Sequence, residues 1–291
     1  MAITVRGRKS NEGRKRKERA DTDRMECFVT IDRYYSPVML TNGDIALALI
    51  AAFMIGISKT AIPGGGLLAT PVVAVTFHGR GLPGATLGIL LMADVLAVRT
   101  YRQTARWDVL RPLVPWVTGG FALGAWFFIV IGKSGRTLDI VIASMILLIV
   151  MLQVWRIIRK SPPAPPTLGA ASFFGTTGGF ATFVSNNAGP ILNTYFSRLG
   201  LSKAEFIGSS SWFYFIVNVA KVPIYLALGW WSIGGSFFTR RSVIFDLAAI
   251  PGVLAGVFLG RWLFHRIKQE TFLGIVLVLS AAGAVKLLIG K

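Results

Sequence analysis

The chain has 291 residues, is 53% hydrophobic and only 15% charged, and carries a formal net charge of +18. Its mean hydropathy is +0.61, which excludes an ordinary soluble domain of this length. The single cysteine, Cys27, excludes a disulfide framework within one chain and a multi-cysteine metal site. The positive charge does not indicate nucleic acid, because most of it lies in short loops between apolar runs, where it reads as a membrane topology signal.

Residues 1–40 form a polar, basic lead with Arg14-Lys-Arg-Lys17 at its centre, expected to be mostly disordered. A lead of this length does not fit a signal peptide, so the first apolar run is expected to stay uncleaved. Met25 and Met39 are alternative starts.

Ten apolar segments follow, at about 43–58, 64–78, 82–100, 110–131, 137–157, 168–184, 188–198, 204–228, 243–264 and 271–289. The stiff linker Arg159-Lys-Ser-Pro-Pro-Ala-Pro-Pro166 divides them five and five. The expected fold is an all-α polytopic membrane protein: a tail over 1–40, one membrane repeat over 41–160 and a second over 161–291. Segments 2 and 7 reach only about 22 and 17 Å at 1.5 Å per residue, short of a ~30 Å hydrocarbon core. With segments 1 and 6 they are expected to form broken or re-entrant helices.

Two glycine-broken stretches echo one another: Gly56-Ile-Ser-Lys-Thr-Ala-Ile-Pro-Gly-Gly-Gly66 and Gly179-Phe-Ala-Thr-Phe-Val-Ser-Asn-Asn-Ala-Gly189. Further matches align Gly88 with Gly208, Asp94 with Asn218, Tyr101 with Tyr225, and Gly120/Gly124 with Gly252/Gly256. Five segments per half is an odd number, so the second half should run inverted, with the breaks near the binding site. The small-residue spacings, extending to Gly260, suit close helix packing.

Parity assigns Arg99, Arg102, Arg106, Arg111, Arg156, Arg159, Lys160, Arg198, Lys203, Arg261, Arg266 and Lys268 to one face. The other receives Arg80, Lys133, Arg136, Arg240, Arg241 and Lys291. The first face is expected to be cytoplasmic, with both termini outside. The basic tail opposes that orientation.

The breaks carry the candidate site. Glycines 64, 65 and 66 allow close backbone approach, and free N–H groups at a helix start attract anions. Ser58, Lys59 and Thr60 add hydroxyls and a charge before Gly64, Gly65 and Gly66. Ser185, Asn186 and Asn187 stand at the second break, so anion attraction is expected to depend chiefly on the first half. Turn-forming glycines without a ligand are the alternative.

Asp94 is read as the only acid deep within a segment, about 9 Å from its end. It is either a proton or cation coupling site or a structural partner for lysine. Lys59 is its nearer candidate and Lys221 the more distant one. Lys221 either attracts the anion or snorkels. Asn218 either contacts substrate or holds helices together. His78 and His265, with Tyr101, Trp107, Trp155 and Trp230, read as interfacial, and Glu205 as a helix cap. No His-Glu-x-x-His cluster or Ser–Lys dyad supports an enzyme, and no cofactor is expected.

These residues resemble the sulfite exporter TauE/SafE family of small anion permeases. The resemblance spans roughly 43–291. It rests on residues 56–66, Ala-Asp-Val-Leu-Ala-Val (93–98), Ser-Asn-Asn-Ala-Gly-Pro (185–190), Leu-Ser-Lys-Ala-Glu-Phe-Ile-Gly (201–208) and Asn-Val-Ala-Lys-Val-Pro (218–223). It implies movement of sulfite, thiosulfate or an organosulfonate across the plasma membrane, the inner membrane in bacteria, without ATP hydrolysis. The long basic tail departs from the family pattern. Implied partners are a small anion and the bilayer; a coupling proton or cation and a homo-oligomer are compatible with the chain. A channel-like or scaffold membrane protein without saturable transport is the alternative.

Overall fold

Apolar runs in a bilayer become helices because hydrocarbon offers the backbone no hydrogen-bond partners. A computed structural model describes residues 40–60, 67, 69–131, 135–159, 167–196, 198–231 and 235–263, and, towards the C-terminus, 278, 281–282, 284–286 and 288–289. The tail, the glycine triplet, the proline linker and most of the tenth segment lie outside the described residues.

Every regular element among the described residues is helical. They are α1 (Asn42–Thr60), α2 (Ala69–Val73), α3 (Gly81–Tyr101), α4 (Trp107–Leu110), a 3₁₀ turn (Arg111–Leu113), α5 (Val114–Ile131), α6 (Gly135–Arg159), α7 (Leu168–Ser185), α8 (Gly189–Phe196), α9 (Lys203–Trp231) and α10 (Arg240–Leu263). Six stretches are long and apolar enough to cross a membrane: Asn42–Thr60, Gly81–Tyr101, Trp107–Ile131, Gly135–Leu152, Ala204–Trp231 and Arg240–Trp262.

Capping residues set several starts. The α9 capping box is reciprocal: Ser202 N–H donates to the Glu205 carboxylate, and Glu205 N–H donates to the Ser202 hydroxyl. Thr41 and Asp44 make the same pair of bonds at α1. The Thr167 hydroxyl accepts from Ala170 N–H at α7.

Two helix pairs dominate the packing, α1 with α10 and α5 with α7. Each runs parallel and relies on glycine. A Cβ on Gly56 would lie 2.7 Å from the Val253 carbonyl, and one on Gly179 would lie 2.6 Å from the Val117 carbonyl. Gly256 abuts the Phe53 backbone as Gly120 abuts Thr176, and Gly260 meets Thr60 as Gly124 meets Phe183. The contacts therefore match Gly120 with Gly256 and Gly124 with Gly260, one turn from the sequence alignment. The same holds for Gly208, which abuts Thr104 as Gly84, not Gly88, abuts Phe237.

The polar contacts gather at two ends. At one, Arg106 bridges Asp108 at 2.7 Å and Glu205 at 3.2 Å, and Trp212 donates to Arg102 O. These carboxylates, Asp108 foremost, hold the Arg106 guanidinium above its usual pKa. At the other end, Arg241 and Thr76 both contact Asp44, His78 Nδ1 lies 3.1 Å from Asp139, and Arg80 donates to Phe128 O. α1 starts at this second end. α7, parallel to α5, starts at the first.

Candidate functional site

The interruption after Ser185 has a defined geometry. Asn186 caps α7 in the left-handed region at φ 58°, and its N–H donates to Thr182 O. Asparagine tolerates that conformation better than most residues. It frees the Asn186 amide to cross-link: Nδ2 donates to Pro83 O at 2.8 Å, while Oδ1 accepts from Lys221. Asn187 Nδ2 donates to Ser185 O at 2.8 Å.

Thr70, at the start of α2, donates at 3.1 Å to Ser185 O and lies 3.2 Å from Asn187 Oδ1. The helix that follows the first break is thus fastened to the second break. Gly64, Gly65 and Gly66 lie just before this contact, outside the described residues. Ser58 is buried, and Thr60 donates to Gly56 O and Val257 O. The Thr60 hydroxyl therefore serves helix packing.

Asp94 is fully buried on α3. Lys59 Nζ lies 2.6 Å from its Oδ1, and Asn218 Nδ2 lies 2.5 Å from its Oδ2. Lys59 also sits 4.4 Å over the Tyr214 ring, a cation–π contact. The Tyr214 hydroxyl lies 3.5 Å from Gly189 O and 3.3 Å from Asn193 Oδ1, which ties this group to α8. Asn218 Oδ1 is buried without a hydrogen-bond partner among the described residues.

Lys221 is also fully buried but takes a different course. Its ammonium lies 3.2 Å from both Thr182 O and Thr182 Oγ1 and bonds Asn186 Oδ1. No ion pair reaches it among the described residues. A lysine from α9 thus stands at the second break as well, beside the break's own neutral Ser and Asn groups. Isolated buried charge is costly in a low-dielectric interior. Three oxygen acceptors offset part of that cost here.

The two breaks are finished alike. Tyr101 donates at 3.2 Å to Thr60 O at the end of α1, and Tyr225 donates to Phe183 O near the end of α7. Tyr101 is thus more than an interfacial residue. Trp230, in contrast, is 91% exposed, as an interface residue would be.

Sequence reasoning missed Thr70, Thr182 and Tyr214, whose residue types are common in packed helices. It also missed Asp246, whose Oδ1 is buried without a hydrogen-bond partner among the described residues and whose side chain packs on Gly88. α10 begins at Arg240, so Asp246 lies about 9 Å into its helix, as deep as Asp94 was expected to be. Asp94 is not the only deep acid. Among the described residues, no group of three His, Cys, Asp or Glu side chains comes together.

A family model described as "Sulfite exporter TauE/SafE" matches residues 48–287. No curated protein matches, and no solved structure does.

Proposed function

Because the chain belongs to the sulfite exporter TauE/SafE family, a membrane anion transporter family, we propose that it is a secondary permease for a small sulfur-containing anion. Sulfite, thiosulfate and organosulfonates are the substrate class, and the bacterial inner membrane is the expected location. The two repeats, 41–160 and 161–291, are related by an inverted two-fold and move by alternating access. The matched contacts at Gly56 and Gly179, the paired Tyr101 and Tyr225 bonds, and the α1 and α7 starts at opposite ends support that relation.

One observation carries the reading: each helix break is met by a lysine, partly buried Lys59 at the first and fully buried Lys221 at the second. Lys59 stands beside Asp94, and Lys221 reaches Asn186 and Thr182. Two lysines against one carboxylate give the region a surplus of nitrogen donors, which suits an anion. Ser58, Ser185 and Asn187 are the hydroxyl and amide groups we assign to the same site, with Thr60 holding the α1–α10 contact beside it; the backbone of Gly64, Gly65 and Gly66 is assigned to the site from the sequence alone. Asn218 holds Asp94 across the α3–α9 contact. Asp94 is then placed to exchange a proton or cation as Lys59 turns from it to the anion.

The test is uptake into proteoliposomes across sulfite, thiosulfate, sulfonates and carboxylates. Saturable, competable flux of a sulfur oxyanion is expected, with Lys59→Ala and Lys221→Ala each abolishing it at normal expression. Unchanged flux in both variants would overturn the site. Flux that never saturates, or none for any anion, favours the channel-like or scaffold alternative. Asp94→Asn should bind substrate yet lose pH-driven accumulation; a variant that still accumulates rules out coupling at Asp94.

A further inference from the structure

A cavity lies on the flank formed by α5, α6, α7 and α8, against the two helices that meet at the second break. It encloses about 790 Å³ and is lined by Trp126, Leu148, Phe173, Phe180 and Ile191 among other apolar residues. That volume falls within the range of ligand pockets. Its rim faces outward: Trp126 is 64% exposed, Phe173 62% and Leu148 54%. In a membrane this rim meets lipid tails.

Among the described residues the lining contains one charged side chain, Arg198. Its guanidinium stands 5.5 Å from the Phe174 ring centroid, and no carboxylate pairs with it among the described residues. Arg198 lies four residues before the α9 capping box, at the end of the molecule where Arg106 meets Glu205. The cavity is therefore apolar along its length and cationic at a membrane-edge terminus.

We propose that this groove is a binding site for an anionic phospholipid, with an acyl chain along the α5–α8 wall and the phosphate at Arg198. The charge complementarity selects this occupant. A small free anion gains nothing from apolar walls, and a zwitterionic lipid brings a quaternary ammonium towards the arginine that offsets part of its phosphate's attraction. Basic groups between membrane helices near the headgroup layer are suited to such lipids. The proposal does not depend on the permease reading.

The experiment uses the full chain in phosphatidylcholine nanodiscs doped with phosphatidylglycerol, with bound lipid counted by native mass spectrometry. The wild-type protein should retain phosphatidylglycerol over phosphatidylcholine. Arg198→Gln should weaken that preference about fivefold, the effect of one basic side chain near an anionic surface. Arg198→Lys should keep most of it. Thr177→Trp, which fills the groove, should release both lipids. Melting in pure phosphatidylcholine checks that each variant is folded. Equal retention of the two lipids by the wild type, or an unchanged preference in Arg198→Gln, would overturn the proposal. So would full competition by soluble glycerol phosphate, which marks a bare anion site. Cross-linking of Trp126→Cys between two copies, with lipid excluded, would assign the groove to a dimer instead.

Discussion

The two helix breaks solve one electrostatic problem in different ways. At the first, the lysine belongs to the broken helix itself: Lys59 is the penultimate residue of α1 and pairs with Asp94 on α3. At the second, the position matching Lys59 by the contact pattern is Thr182, and the cation comes from α9. Lys221 reaches over to Thr182 and Asn186. One break thus holds a compensated ion pair, the other a lysine among neutral oxygens. The lesson is that likeness of sequence at the breaks understates likeness of side-chain chemistry, because another helix supplies the lysine that the second break lacks.

The largest expected effect comes from separating the compensated pair. Lys59→Ala leaves the carboxylate of Asp94 buried, with Asn218 as its remaining partner. Removing one member of a buried pair typically costs about 3–5 kcal/mol. The double variant Lys59→Ala/Asp94→Asn removes both charges and should recover most of that loss. Thermal melting in detergent measures both, and a double variant no more stable than the single one would mean Lys59 acts through packing on Tyr214. Lys221→Met should cost less, about 1–3 kcal/mol, because it strands polar oxygens and no charge. Equal losses for Lys59→Ala and Lys221→Met would erase the contrast between the breaks.

The sequence made the helices and the break positions legible for direct physical reasons. Long apolar runs leave few alternatives to helix in a membrane, and Gly, Ser and Asn in succession mark interruptions. The approach of Asp94 to Lys59 followed from depth along two helices, because only length was needed. The destination of Lys221 was not legible, since it depends on how α9 is rotated about its axis and on which carbonyls α7 leaves open. The register of the glycine contacts was ambiguous for a similar reason. Gly252, Gly256 and Gly260 repeat every four residues, so two alignments one turn apart score alike, and the neighbouring backbone decides between them. Asp246 was overlooked because α10 begins at Arg240, three residues before the apolar run suggests.

The two parallel helix pairs offer a contrast of their own. Gly256 faces the Phe53 backbone, which cannot rotate away, whereas Gly124 faces the ring and Cβ of Phe183. Gly256→Ala should therefore force α1 and α10 apart and cost about 1–3 kcal/mol as an overpacked contact. Gly124→Ala should fall nearer the lower bound, because a side chain and not a carbonyl stands in the way, although Phe183 is fully buried and must move its Cβ as well as its ring. Urea or thermal denaturation of the two variants side by side gives the ranking. A reversed order would place the tighter backbone contact in α5 and α7.

The smallest effect tests whether the breaks are fastened to each other. Thr70 is the one side chain seen to bond both Ser185 and Asn187 across the interface between halves. Thr70→Val keeps the shape and removes the donor, so about 1 kcal/mol of stability should be lost. If the bond also couples motion of the two breaks, the variant should alter the rate of flux more than its apparent affinity, because it contacts neither lysine. Thr70→Ser should restore both quantities. A Thr70→Val protein with unchanged stability and flux would mean that α2 meets the second break through packing alone, and that this bond does not couple the breaks.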